Sequence, residues 1–187
     1  MEFERLAIEG AWLTKSPIHR DERGFFREWF RGDELLSATG REFKVVQSNT
    51  SLSAKGVLRG IHYSLAPQGQ AKWVTCTSGS IWDVVVDIRP SSPTFKKWVG
   101  VELKGSSGDS LLISEGLGHA FMALEDDSVV TYLLASPYSP MEELDIDPLD
   151  LELAIQWPSV ERLLSPKDAN APTLAMRLAD GVLPRGK

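Results

Sequence analysis

The sequence predicts an all-β protein, folded as an antiparallel sandwich or barrel. Eight strand-like runs follow one another within about ninety residues, each rich in β-branched and aromatic side chains. Turn signals of Gly, Ser, Pro or Asp separate each run from the next. The chain has 187 residues, a length that favours one domain, so we expect a single domain over residues 1–187.

Two elements are predicted before these runs. FFREWF, at residues 25–30, alternates two aromatic-rich faces and predicts a strand buried on both sides. RGDELLSATG predicts a short helix, with Asp33 as its cap, Leu35 and Leu36 as its apolar contacts and Gly40 as its stop.

The main strands follow without a further helix. In chain order the runs are EFKVVQSNTSLS, GVLRGIHYS, AKWVTCTSG, SIWDVVVDIR, FKKWVGVEL, DSLLISEG, GHAFMALED and SVVTYLLAS. In SIWDVVVDIR the apolar face is predicted to pack in the core, and the other face, which carries Asp83 and Asp87, is predicted to be mixed.

The C-terminal segment, about residues 137–187, has a different character. It is rich in Pro, Asp and Glu, and it contains no repeat and no linker that would divide the chain. A helix is predicted near its end, beginning at Pro172 or Thr173. We expect this segment to wrap around the barrel.

Composition and charge narrow the class of protein. The formal net charge of −6 argues against a general nucleic-acid binder, because phosphate binding needs clustered Lys and Arg. The single cysteine, Cys76, cannot form an internal disulfide, which suits a reducing compartment. No signal pattern and no apolar stretch of about 18 residues appears, so we expect a cytoplasmic protein with no membrane partner.

Three polar residues stand among the predicted strands. Arg59 and His62 lie on one run and Lys72 begins the next, so hairpin pairing could gather a base and two cations at a barrel mouth. The structural alternative is that Arg59 and Lys72 are solvated rim residues and His62 a satisfied core histidine.

Other chemistries have weaker signals. A metal-binding barrel would need closely spaced histidines and a glutamate, but Gly60 stands two residues before His62 and no second histidine is nearby. Cys76 has no adjacent base, and neither a Gly-x-Ser-x-Gly elbow nor a Gly-rich phosphate loop occurs. Acid–base chemistry around an anionic ligand is what remains.

Several segments together resemble the dTDP-4-dehydrorhamnose 3,5-epimerase family. They are DERGFFREWF, QSNTSLSAKGVLRGIHY, QAKWVTC, WDVVVDIRPSSPTFKKW, GHAFMALEDD, TYLLASPYSPMEE and LLSPKDANAPTL, in family order from Asp21 to Leu174. The resemblance implies a cupin-like jelly-roll barrel with a few short flanking helices. It also implies a homodimer that exchanges N-terminal strands, and no metal or organic cofactor.

The same resemblance implies a substrate and a catalytic set. The substrate is dTDP-4-keto-6-deoxy-D-glucose, and the reaction inverts C3, C5 or both, beside the C4 ketone. His62 would be the general base, Asp168 its orienting carboxylate and Tyr132 the acid on the far face. Lys72 would stabilise the enolate oxygen.

The resemblance implies a larger set for substrate binding. Arg23 and Arg59 would bind the diphosphate, Phe26 and Tyr138 would stack on the thymine, and His119 would be a further contact near the sugar. The full set is Arg23, Phe26, Glu28, Gln47, Asn49, Arg59, His119, Tyr138, Glu143 and Lys167.

The sequence departs from the usual family pattern beside one of these residues. His119 is followed by Ala120 where glycine is usual, and SEGLG replaces a proline-containing turn. Such changes resemble the branch that makes deoxysugars of secondary metabolites, so an epimerase acting at C3 or C5 alone is an alternative. Less favoured alternatives are a 3,4-ketoisomerase and a non-catalytic barrel that binds sugar nucleotides, the second of which predicts a broken catalytic set.

Overall fold

A computed structural model describes residues 1–66 and 69–185 of the chain. Its strands and helices are β1 (Glu2–Arg5), β2 (Ala11–Lys15), β3 (His19–Asp21), β4 (Gly24–Phe26), α1 (Gly32–Thr39), β5 (Gln47–Ser53), β6 (Val57–Ser64), β7 (Lys72–Ser78), β8 (Ser80–Asp87), β9 (Trp98–Lys104), β10 (Asp109–Ile113), β11 (Leu117–Ala123), β12 (Ser128–Leu134), β13 (Glu143–Asp145), β14 (Leu163–Leu164), α2 (Pro166–Ala169) and α3 (Leu174–Ala179). Among these helices none has the length and apolar character needed to cross a membrane.

Two facing sheets form a jelly-roll barrel, which confirms the predicted fold class. The first sheet has the order β1-β2-β10-β7-β12-β5, and the second has the order β13-β6-β11-β8-β9, with β14 added in parallel to β6. The hairpin of β3 and β4 stands apart as a two-stranded sheet. Each of the eight predicted runs overlaps one of the strands β5 to β12, and only β9 and β11 extend beyond their runs, by one residue each.

The core between the two sheets positions the site. Apolar side chains from both sheets meet there and are buried from solvent, among them Val74, Val130, Ile81 and Val85. The face of β8 that was predicted to be mixed is this inner face, and its carboxylates are fully buried. The barrel interior is therefore apolar at its centre but also holds ionisable groups.

The outer face of the second sheet is covered by the C-terminal segment. Ile146, Leu153, Trp157 and Leu174 of that segment pack in one cluster with the outward side chains of β6, β8 and β11. The helix α3 starts at Leu174, one residue after the later of the two predicted starts. Thr173 caps it, because its hydroxyl accepts a hydrogen bond from the Met176 N–H.

The strand prediction for FFREWF is wrong. The strand β4 ends at Phe26, and Phe25 and Phe26 are 48% and 65% exposed. In the described part of the chain the hairpin of β3 and β4 joins neither large sheet, which leaves these two aromatic side chains open to solvent. Trp29 and Phe30 leave the hairpin and pack instead on the outer face of the first sheet.

The helix prediction is correct in place but not in its start. The first residue outside α1 is Arg31, with no side-chain cap, and Asp33 lies inside the first turn, where it pairs with Arg31. Leu35 is buried, but Leu36 is half exposed. Gly40 ends the helix in the left-handed conformation, with φ of 71°, and its N–H meets the Leu36 carbonyl.

Candidate active site

A shift of register in β6 brings its two basic side chains to one face. His62 pairs with His119 of β11, and Arg59 pairs with Phe121. On β6 the two residues are three positions apart, whereas their partners on β11 are only two positions apart. In a regular strand, residues three apart point to opposite faces. The extra residue turns both Arg59 and His62 toward the inner face.

Gly60 lets the backbone of β6 approach β11 closely at this point. Its φ is +114°, and a Cβ built there would lie 2.6 Å from both the Ala120 Cβ and the His119 carbonyl oxygen. Only glycine suits this conformation and this spacing. The neighbouring Leu58 and Ile61 point outward into the cluster beneath the C-terminal segment.

His62 is hydrogen-bonded to Asp168, as predicted from the resemblance. Its Nε2 lies 2.7 Å from Asp168 Oδ1. The Ser165 hydroxyl caps α2 by accepting from the Asp168 N–H, and it donates to Asp168 Oδ2. Burial alone would raise the pKa of Asp168, but the bonds from His62 and Ser165 outweigh it and hold the pKa below its usual value.

A second carboxylate next to His62 was missed by sequence reasoning. Asp145 is the register partner of His62 on β13, and its Oδ1 lies 3.9 Å from His62 Nε2. Lys167 Nζ lies 2.8 Å from the same oxygen, and this contact raises the pKa of Lys167. The available signal was spacing, because Asp145 stands two residues after Glu143 and so shares its face of the strand.

The first sheet presents Lys72 and Tyr132 to the interior. Tyr132 is paired with Val74 and Asn49, and its ring packs against the inner core from β12. Lys72, at the start of β7, is 8% exposed. Burial lowers the pKa of Lys72, and the nearby carboxylates of Glu143 and Asp83 oppose that effect.

His119 has a buried carboxylate partner that the sequence did not suggest. Its Nε2 lies 2.9 Å and 3.0 Å from the two oxygens of Asp83, which is fully buried on β8. With Nε2 engaged in this way, Nδ1 is the ring nitrogen left for a ligand.

Several predicted binding residues lie along the edge strand β5 and around it. Gln47 donates from Nε2 to Asn49 Oδ1 and accepts the Tyr138 N–H at Oε1. Arg59 reaches from the second sheet to β5, where its Nε donates to Ser53 Oγ at 3.2 Å. Glu143 lies on β13 opposite Ser64, two residues along the strand from Asp145, the register partner of His62.

Three predicted binding residues are not brought to this group within one chain. Arg23 pairs with Asp21, and Glu28 lies near Arg31, both on the exposed surface. Phe26 stacks on His19 across the hairpin. None of these contacts reaches the inner face of the barrel.

A cavity of about 1000 Å³ lies elsewhere and contains none of the predicted site residues. Two of its arginines are already paired, Arg41 with Glu115 and Arg89 with Asp87. Across residues 1–66 and 69–185, no three His, Cys, Asp or Glu side chains converge in a way that could hold a metal ion.

Comparison with known proteins gives consistent matches over nearly the whole chain. The family model described as dTDP-4-dehydrorhamnose 3,5-epimerase matches residues 5–176. A dTDP-4-dehydrorhamnose 3,5-epimerase from Mycolicibacterium smegmatis is 49% identical over 185 residues, covering 98% of this chain and 91% of that protein.

Solved structures of epimerases also match this chain over nearly its whole length. The Mycobacterium tuberculosis rmlC epimerase has a TM-score of 0.96 at 44% identity, covering 99% of this chain and 94% of that one. ChmJ, a 3'-monoepimerase from Streptomyces bikiniensis solved with dTDP-quinovose, has a TM-score of 0.93 at 46% identity, covering 96% and 91%. The chain is thus similar both to double epimerases and to a mono-epimerase.

Proposed function

Since this chain belongs to the dTDP-4-dehydrorhamnose 3,5-epimerase family, it is a sugar-nucleotide epimerase, and we propose that His62 and Tyr132 act on opposite faces of its substrate. The observation that carries the proposal is the hydrogen bond of 2.7 Å between His62 and the buried Asp168. The proposed substrate is dTDP-4-keto-6-deoxy-D-glucose, and the relatives act in the same class of deoxysugar chemistry.

The proposed reaction is proton abstraction beside a ketone. His62 removes the proton from C3 or C5, and Asp168 orients the ring and stabilises the imidazolium that forms. The electron pair moves to the C4 oxygen, where the Lys72 ammonium offsets the new negative charge. Tyr132 then donates its phenolic proton to the opposite face of the same carbon, which inverts it.

Nucleotide binding is proposed to involve the remaining predicted residues. Arg59 suits the diphosphate, because its forked N–H groups match phosphate oxygens. Gln47, Asn49 and Tyr138 form one hydrogen-bonded group at the start of β5. His119, Glu143 and Lys167 surround the sugar in this proposal.

We further propose that two chains form a homodimer. The hairpin of β3 and β4 exposes Phe25 and Phe26 and carries Arg23 away from its own barrel interior. A second chain could bring these residues to the nucleotide. The strands β1 and β2 pair within one chain here, so their exchange between chains stays a prediction.

A mono-epimerase is the second candidate, favoured by the similarity to ChmJ. The test is proton NMR of dTDP-4-keto-6-deoxyglucose incubated with the protein in D₂O. Exchange and inversion at both C3 and C5 would establish a double epimerase, and exchange and inversion at one of them a mono-epimerase. No exchange at either carbon would overturn the proposal.

The matched variants separate binding from chemistry. His62→Ala should bind dTDP, measured by calorimetry, but catalyse neither exchange nor inversion. The control is Lys104→Ala, an exposed side chain on the edge strand β9, which should leave both unchanged.

A further inference from the structure

We propose that Asp145 is a positioning residue which, together with Lys167, sets how readily His62 takes up a proton. The inference rests on the proposed role of His62 as the base. It assigns a function to a side chain that the catalytic set of His62, Asp168 and Tyr132 does not include.

The geometry places one oxygen between two groups that can be cations. Asp145 Oδ1 lies 2.8 Å from Lys167 Nζ and 3.9 Å from His62 Nε2. This oxygen is sealed from solvent and contacts the Lys167 ammonium, while its distance of 3.9 Å from His62 Nε2 exceeds the length of a hydrogen bond. Its effect on His62 is therefore one of charge at short distance.

The surrounding elements hold this arrangement in place. The strand β13 pairs Asp145 directly with His62, and Arg177 of α3 donates from Nε to the Asp145 carbonyl at 2.8 Å. The short helix α2 carries Lys167 and Asp168 side by side, so one turns to Asp145 and the other to His62. The helix α2 thus places a positive charge next to Asp145 and a negative charge next to His62.

The group around His62 contains two carboxylates, Asp145 and Asp168, and one ammonium, Lys167. With the imidazole neutral, two carboxylates face one ammonium, and protonation of His62 neutralises the group. Other ionisable side chains lie on the neighbouring elements: His119 on β11, which is paired with Asp83 of β8, and Lys72 and Tyr132 on the first sheet. The remaining carboxylate next to His62 is Asp168.

Replacing the two partners should act on His62 in opposite directions. Without the Asp145 charge the imidazolium loses a stabilising neighbour, so Asp145→Asn should lower the pH at which His62 titrates. Without the Lys167 ammonium the imidazolium loses a repelling neighbour, so Lys167→Gln should raise it. For the Asp145 charge, which lies 3.9 Å from His62 Nε2, the expected shift is on the order of one pH unit or more.

Proton NMR of the ring signals measures this on the whole protein without substrate. The chain has only three histidines, so His62→Ala identifies the His62 signal by its loss. The titration midpoint is compared among the unchanged protein, Asp145→Asn, Lys167→Gln and the double variant. Glu102→Gln is the control for Asp145→Asn, and Lys104→Gln is the control for Lys167→Gln, because each removes the same charge as its counterpart. Both controls lie on β9, at the opposite edge of the sheet from β13.

The expected result is a lower midpoint for Asp145→Asn, a higher one for Lys167→Gln and an intermediate one for the double variant. The acid limb of the pH profile of kcat/KM should move in the same directions. The inference would be overturned if the midpoints of Asp145→Asn and Lys167→Gln equalled those of their controls, or if both midpoints moved in the same direction. Lys167 has a side chain that is 58% exposed, so its variant remains informative if Asp145→Asn does not fold.

The titration also separates the two proposals. It reports the electrostatics of His62 whether or not the sugar substrate is turned over. A protein with the expected midpoints but no hydrogen exchange in substrate would keep the inference and lose the epimerase mechanism.

Discussion

At the scale of single residues, the site depends on how each ionisable side chain is partnered. His62 bonds to Asp168, His119 to Asp83, and Lys72 is buried with carboxylates nearby. Each partner adjusts the proton affinity or the orientation of its neighbour.

Tyr132→Phe should uncouple proton removal from inversion. His62 can still take the substrate proton and exchange it with solvent, but the phenyl ring has no proton to return on the far face. We expect deuterium incorporation to persist while the rate of inversion falls by about 100-fold or more. NMR in D₂O follows both in one sample, and equal loss of the two would contradict separate roles for the two side chains.

Asp168→Asn should change the acid dependence of stability. The native pKa of Asp168 is lowered by His62 and Ser165, so its charge stabilises the fold above the ordinary value of about 3.8, and this contribution is lost as pH falls through the lower native value. The free energy of unfolding, measured by urea denaturation at several pH values, should therefore fall less steeply below pH 5 in the variant than in the unchanged protein. The exposed-site control Glu102→Gln should keep the original slope.

At the scale of elements, β6 shows what a strand pattern reveals and what it leaves out. The sequence predicts the strand and suggests that Arg59 and His62 share a face, but strict alternation would separate them. The shift of register at Gly60 resolves this, and it depends on a close approach to β11 that no local pattern contains. The same limit explains FFREWF, whose aromatic pattern could not show that its hairpin lacks a second layer.

Gly60→Ala should destabilise the protein more than its backbone conformation alone requires. The added methyl group would meet Ala120 and the His119 carbonyl at 2.6 Å, so we expect a loss of about 2–4 kcal/mol. Gly181→Ala is the matched control, because Gly181 also has a positive φ, of 68°, but no atom of the described residues beyond its chain neighbours lies within 4 Å of the added group. The control should cost about 1 kcal/mol in chemical denaturation. Similar losses in the two variants would refute the role of close packing.

At the scale of the whole molecule, the barrel brings distant segments to one point. The proposed catalytic set came from resemblance, and the eight strands were accessible through periodicity in the sequence. Asp83 and Asp145 were not, because their roles depend on which strand pairs with which. The hairpin residues Arg23 and Phe26 show the opposite case, since the resemblance assigns them to a site that their own chain does not place nearby.

Mixing two inactive chains tests whether the hairpin serves a partner. In a dimer of one Arg23→Ala chain and one His62→Ala chain, one barrel would keep its own His62 and receive the unaltered Arg23 of its partner. Random pairing should restore about a quarter of the original activity, because half of the dimers are mixed and each has one intact site. Co-expression followed by the NMR assay measures this. A hairpin that serves its own barrel would give no recovery.

The bond between His62 and Asp168 joins residues separated by 106 positions in the chain. The barrel strands β5 to β12 emerge from the ribosome before the carboxylate is translated. A prematurely terminated product could therefore assemble its strands and still lack the carboxylate partner of His62. Under the proposed mechanism, turnover thus requires that translation has passed α2, since a chain cut short before α2 leaves His62 without that carboxylate.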